Sequence, residues 1–229
     1  MEKLKTELHV YVEIGSKRVF AGALDWPGWC RSGRDEPAAL EALIAYGPRY
    51  ARAIGAVDLG LDLPTAASDL VVDERLEGSN TTDFGAPAAV PVADVMPIDD
   101  EALARMAVLL QACWLAFEQA ATVAEGKPLR KGPRGGGRYL PRIIEHVAEA
   151  SRAYLAKLAW KPEPDPDAAP LGQVGQLVDV ASRALAAAAA GQLPTHGPRG
   201  GKLWPPRFFV RRAAWHLLDH AWEIEDRLV

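Results

Sequence analysis

The stretch PPRFFVRRAAWHLLDHAWEIEDRLV, residues 205–229, decides how the second half of the chain is read. It opens with two prolines, which suits the first turn of a helix, where an amide is unpaired in any case. From there it runs as one helix to residue 229. Working back from it, three more segments carry the helical period. Asp99 caps a helix in which Leu103, Met106, Leu110, Cys113, Trp114, Phe117 and Ala121 share a face. Pro141 opens a helix to about Ala159, with Ile144, Val147, Ser151, Tyr154 and Leu158 on its core side. Val174, Leu177, Val178, Ala181 and Leu185 mark a third. The Lys161-Pro-Glu-Pro-Asp-Pro stretch between the second and third is a stiff linker. Four amphipathic helices with no strand signal between them predict an up-down four-helix bundle over residues 96–229.

The first half reads differently. Leu8, Val10, Val12 and Ile14 alternate with other residues, the period of a half-buried strand. Gly15-Ser16 reads as a two-residue turn, and Arg18 to Leu24 as the returning strand. After the turn Asp25-Trp26-Pro27-Gly28, Asp35 is placed to cap a helix with Pro37 in its first turn, and Pro48 is expected to kink or end that helix. Residues 69–77 read as another strand. The Ala/Pro/Gly-rich stretch 79–97 has no period and marks the boundary. The fold class expected is therefore α+β, with a small N-terminal β-hairpin/helix domain over residues 1–95 followed by the bundle.

Composition limits the function. The chain has 229 residues with 26 Lys+Arg against 30 Asp+Glu, a net charge of -4, which speaks against a globally basic nucleic-acid binder. Cys30 and Cys113 fall in different halves, so a disulfide framework is not expected. The opening MEKLKTELHV lacks the apolar run of a signal peptide, and Ala186–Ala190 is too short to span a bilayer. The expectation is a cytoplasmic protein with no membrane partner.

Of five histidines, His216 and His220 stand four apart on the last helix, about 40° apart around its axis at 100° per residue. That spacing lets one helix offer two imidazoles to one metal ion. Taken alone, the pair also fits amphipathic residues at the edge of a packed face beside Trp215 and Trp222. The zincin motif is absent, because Leu217 stands where its glutamate would be. His146 on the second bundle helix is the third candidate ligand. Glu223 extends the stripe and has three readings: an acid/base, a partner fixing a histidine tautomer, or a partner of Arg227.

A short repeat adds a second feature. Gly132-Pro-Arg-Gly-Gly136 recurs as Gly197-Pro-Arg-Gly-Gly201, and Pro141-Arg142 recurs as Pro206-Arg207 at the same offset. Neither loop is a Walker A. Exposed backbone amides ahead of a helix, with Arg134, Arg138, Arg199 and Arg207 near, suit a carboxylate or phosphate, while tight turns with solvated arginines account for the same residues. An RGG-like RNA contact is the weaker reading. Up-down-up-down connectivity would bring both loops to one mouth of the bundle as a paired, arginine-bearing rim.

The four-helix layout, His146 on the second helix and the closing Trp215-His216-Leu-Leu-Asp-His220 resemble the DinB/YfiT-like superfamily of metalloenzymes, over about residues 97–229. The resemblance implies a divalent metal, zinc or nickel, held by His146, His216 and His220. It implies chemistry on a small anionic molecule, with transfer dependent on a low-molecular-weight thiol as the first expectation and Glu223 as catalytic candidate. The Gly-Pro-Arg-Gly-Gly loops are outside that family pattern. Leu24-Asp-Trp-Pro-Gly-Trp-Cys-Arg-Ser-Gly33 and the following Pro37-Ala-Ala-Leu-Glu-Ala-Leu resemble the small HicB-like antitoxin domain, over about residues 6–55. No ribbon-helix-helix or helix-turn-helix pattern accompanies it, so packing, homodimer formation or covering of the bundle is the role expected. The alternative for the whole chain is a non-catalytic interaction protein with an antitoxin-like module and a metal-stabilised bundle.

Overall fold

The computed structural model describes residues 7–55, 57, 59–131, 137–162, 165, 167–197 and 201–229. The chain is a mixed α+β protein that divides into two compact units, Met1–Met96 and Pro97–Val229.

In the first unit, β1 (Leu8–Ile14), β2 (Val19–Ala23), β3 (Cys30–Gly33) and β4 (Leu70–Glu77) form one sheet in the order β3-β2-β1-β4. β1 and β2 pair antiparallel, β2 and β3 likewise, and β4 runs parallel beside β1. The expected hairpin is therefore the centre of a four-stranded sheet. Its turn is centred one residue later than the sequence suggests: Gly15 donates to the Arg18 carbonyl at 2.9 Å, and the Asp83 carboxylate accepts from the Lys17 amide at 2.8 Å. A parallel neighbour needs a crossover. It is supplied by α1 (Glu36–Ile54), which Asp35 caps through the Ala38 amide at 2.9 Å.

Pro48 does not end α1. Proline removes one helical hydrogen bond, but the residues beyond it are held by burial. Tyr50, fully buried, stacks on Trp29 at 5.2 Å and donates to the Pro27 carbonyl at 3.0 Å. Trp29 in turn donates to the Leu43 carbonyl at 2.8 Å. Gly47 makes this approach possible, since a Cβ there would sit 3.0 Å from the Trp29 ring.

Glu13, on β1, is fully buried. Its carboxylate accepts from the Thr82 hydroxyl and from the amides of Ala88 and Ala89 at 2.9–3.0 Å. Thr82 belongs to α2 (Asn80–Phe84), capped by Ser79. The stretch with no sequence period is thus tied to the sheet through Glu13, and again where Glu74 on β4 accepts from the Val92 amide at 2.9 Å.

The second unit holds α3 (Asp100–Val123), α4 (Leu140–Ala156), α5 (Pro170–Ala189) and α6 (Pro206–Arg227). α3 is capped by Asp99 through the Ala102 amide at 2.8 Å. It is the one helix among the described residues long and apolar enough to cross a membrane, and half of that window is buried inside the protein. Leu109, Leu110, Cys113 and Phe117 are among its buried residues.

The helices do not alternate in direction, which corrects the up-down order expected. Arg207, at the start of α6, donates to the Pro97 carbonyl at 2.9 Å, and Leu228 bridges Leu129 just past α3, so α3 and α6 run the same way. The Trp204 amide donates to the Lys157 carbonyl at 2.9 Å and Arg227 to the Arg138 carbonyl at 2.7 Å, so α4 opposes α6. Pro170 and Leu171 line one cleft with Ala121 and Ile144, which sets the start of α5 beside the start of α4. The connection between the two helices is long enough to permit this: 157–169 can extend ~40 Å at about 3.3 Å per residue, whereas α4 is only ~25 Å long.

Replacing Glu13 with Ala would strand two part-buried amides and a buried hydroxyl. We expect a loss of about 2–4 kcal/mol of unfolding free energy, measured by denaturant titration; an unchanged midpoint would show that the acid is dispensable.

Candidate metal centre

Opposed directions bring His146 to His216 and His220. His146 lies six residues into α4, and His220 lies seven before the end of α6. At 1.5 Å per residue these are ~9 and ~10 Å from the same end of the unit. Parallel helices would have left the histidines mismatched in height.

The His216 and His146 Nε2 atoms are 3.3 Å apart. The ring centroids of His216 and His220 are 4.6 Å apart, those of His146 and His220 5.0 Å, and one ligand atom from each of the three lies within 4.8 Å of the others. Two nitrogens bound tetrahedrally to one zinc ion at 2.0–2.1 Å are about 3.3–3.4 Å apart. The closest pair already has that spacing, so the residues present fit a metal ion.

His216 and His220 are buried, and His146 is half-buried beside a cleft of about 460 Å³ lined by Arg138, Tyr139, Arg142, Glu145 and Glu149. Burial pushes the His216 pKa well below its ordinary value, helped by the neighbouring His220, Arg212, His146 and Arg138. Burial, then His220 and Arg138, also lowers that of His146. Both are thus neutral near pH 7, the form that binds metal.

Glu223 has both oxygens engaged. One pairs with His220 Nδ1 at 2.8 Å and the other accepts from Arg227. Burial works against its charge, but the hydrogen bonds from His220 and Arg227 outweigh it and lower its pKa. With Nδ1 held in this way, His220 presents Nε2 to the other histidines. Arg227 also donates to the carbonyls of Arg130 at 2.9 Å and Arg138 at 2.7 Å, while the Arg130 amide donates back to the Arg227 carbonyl at 2.7 Å. Gly137, at φ +132, fits this clamp because a Cβ there would meet the Arg227 guanidinium at 2.6 Å.

Of the four arginines expected at one rim, Arg138 and Arg207 do not meet. Arg134 and Arg199 lie outside the described residues. Arg138 is at the histidine end, in the cleft beside His146, whereas Arg207 is engaged with Pro97 at the opposite end of α6. The repeat occurs before α4 and before α6, and those helices start at opposite ends. Cys113 is fully buried and its thiol is pushed up to about 12, which removes it as a nucleophile.

Sequence reasoning missed two residues. Tyr154, read only as core, has its ring 5.6 Å from that of His216. Arg212 stands four before His216 and is buried; extending the histidine stripe one turn toward the helix start finds it. No protein-family model, curated protein or solved structure matches the chain.

The lowered His146 and His216 pKa values fix a pH dependence for the metal-free protein. Below about pH 6.5 unfolded histidine takes up protons that the folded groups refuse, so the unfolded state binds more protons and stability falls with falling pH. Glu223 adds a loss in the same direction, beginning below its ordinary range of about 4.3. We expect the melting temperature to decline from pH 7 to pH 5, with a shallower decline in His216→Gln. A flat profile for both proteins would contradict the burial argument.

Proposed function

We infer that the second unit is a DinB/YfiT-like four-helix bundle that holds a divalent metal, zinc or nickel, through His146, His216 and His220. The observation that carries this reading is the convergence of three imidazoles, two of them buried, from opposed helices onto one point. Their neutrality and the oriented His220–Glu223–Arg227 chain support it. Three imidazoles leave a coordination position open, and an ion held there supplies Lewis acidity to a bound small molecule.

The chain's own residues divide the remaining work. The cleft beside His146 admits the substrate, and Arg138 in its wall gives it a positive rim suited to an anionic molecule. Glu223 is a positioning residue, because both its oxygens are committed to His220 and Arg227. Thiol-dependent transfer is the first reaction class to test. The strand and helix order of the first unit accords with a HicB-like module, for which packing or homodimer formation is the proposed role.

Two outcomes check this reading. The purified full chain, incubated with zinc or nickel salts and desalted, should retain about one ion per chain by elemental analysis, and His216→Ala or His220→Ala should abolish retention. A wild-type protein that retains none would overturn the metal reading. Glu223→Gln should keep the ion but bind it about 10–100-fold more weakly, as read by competition with a chromogenic chelator.

A further inference from the structure

Arg212 is 9% exposed, and its Nη1 has no hydrogen-bond partner among the described residues. Its Cζ lies 4.5 Å from the Trp215 ring centroid and 5.3 Å from that of Tyr154. The aromatic rings satisfy the cation electrostatically. They offer no lone pair to its in-plane N–H donors, and a buried donor left unpaired costs free energy. The guanidinium is therefore desolvated, fixed by two rings, and short of an acceptor.

Its position gives that shortage a direction. Arg212 precedes His216 by one helical turn on the same face of α6. Tyr154 touches both: its ring centroid lies 5.6 Å from that of His216 and 5.3 Å from the Arg212 Cζ. Arg211, the preceding residue, lies about 100° away around the helix. We propose that Arg212 is the anchor for an oxyanion, carboxylate or phosphate, carried by the small molecule that binds at the His146–His216–His220 centre. This rests on the metal reading above for the other end of the ligand, but not for the anion contact itself. An oxyanion would supply the acceptor that Nη1 lacks, and it would orient the ligand along α6 from Arg212 toward His216. The sequence repeat pointed to other arginines; the buried one has the stronger need for an anion.

The test uses the full chain loaded with cobalt(II), whose thiolate charge-transfer band reports binding. Mercaptoacetate and 3-mercaptopropionate carry a carboxylate at two distances from sulfur, and 2-mercaptoethanol carries none. At least one carboxylated thiol should bind about tenfold or more tightly than 2-mercaptoethanol, and Arg212→Gln should erase that preference without releasing cobalt. Equal affinities in the wild type, or a preference kept in the variant, would overturn the proposal. Failure to take up cobalt would overturn the metal reading instead. A second measurement then decides Arg212 independently: in the metal-free protein, the 15N resonances of its guanidinium should shift on titration with acetate or with inorganic phosphate. A shift with only one identifies the oxyanion, and no shift with either rejects the anchor. Because both the wild-type comparison and the resonance titration need no variant, misfolding of Arg212→Gln leaves the answer intact.

Discussion

Polar groups buried on one face of α6 govern the second unit. Arg212, His216, His220 and Arg227 are all buried there, and Glu223 lies among them. A desolvated cation or imidazole is tolerated only where it finds partners, so neighbouring elements must be arranged around those side chains. α4 answers with His146 and Tyr154, and the segments on either side of residues 132–136 answer with the carbonyls of Arg130 and Arg138. α6 is consequently less a hydrophobic stave than a polar spine wrapped by apolar residues such as Phe209, Leu218 and Ile224.

Most of the elements were legible from period and punctuation. β1 appeared in the alternation from Leu8 to Ile14, α1 in its Asp35 cap, and α3 in its Asp99 cap. The His216–His220 pair was also legible, because i, i+4 spacing on a helix is geometry that needs no tertiary information, whereas His146 joins it only through tertiary packing. Direction was not. Hydrophobic period says which face of a helix is buried but nothing about which way the helix points. Only the length of the Lys161–Pro170 connection carried that information, and it permits either direction. That α1 does not end at Pro48 has a related reason: the helix-breaking tendency is local, whereas the burial of Tyr50 against Trp29 comes from a segment about twenty residues away.

Direction, once known, changes the meaning of the glycine-rich repeat. Equal offsets before α4 and α6 suggested a common mouth, yet the two starts lie at opposite ends. The repeat thus marks two similar ways into a helix. The positive groups that act on His216 are Arg138 from the wall of the cleft and Arg212 from within α6, the one exposed and the other beside two rings.

His146 and His216 are separated by 70 positions in sequence and meet only through the docking of α6 against α4. Closing so long an interval costs chain entropy that local helix formation does not return. During synthesis the second unit therefore passes through a stage in which α3, α4 and α5 exist with a single imidazole of the three. Affinity for an ion at that stage is the weak affinity of one side chain. α6 brings two more imidazoles on one helix, and its docking against α4 adds His146 to complete the set of three. The complete set of three imidazoles is thus a record of completed folding, since only a chain whose last helix has docked presents them together.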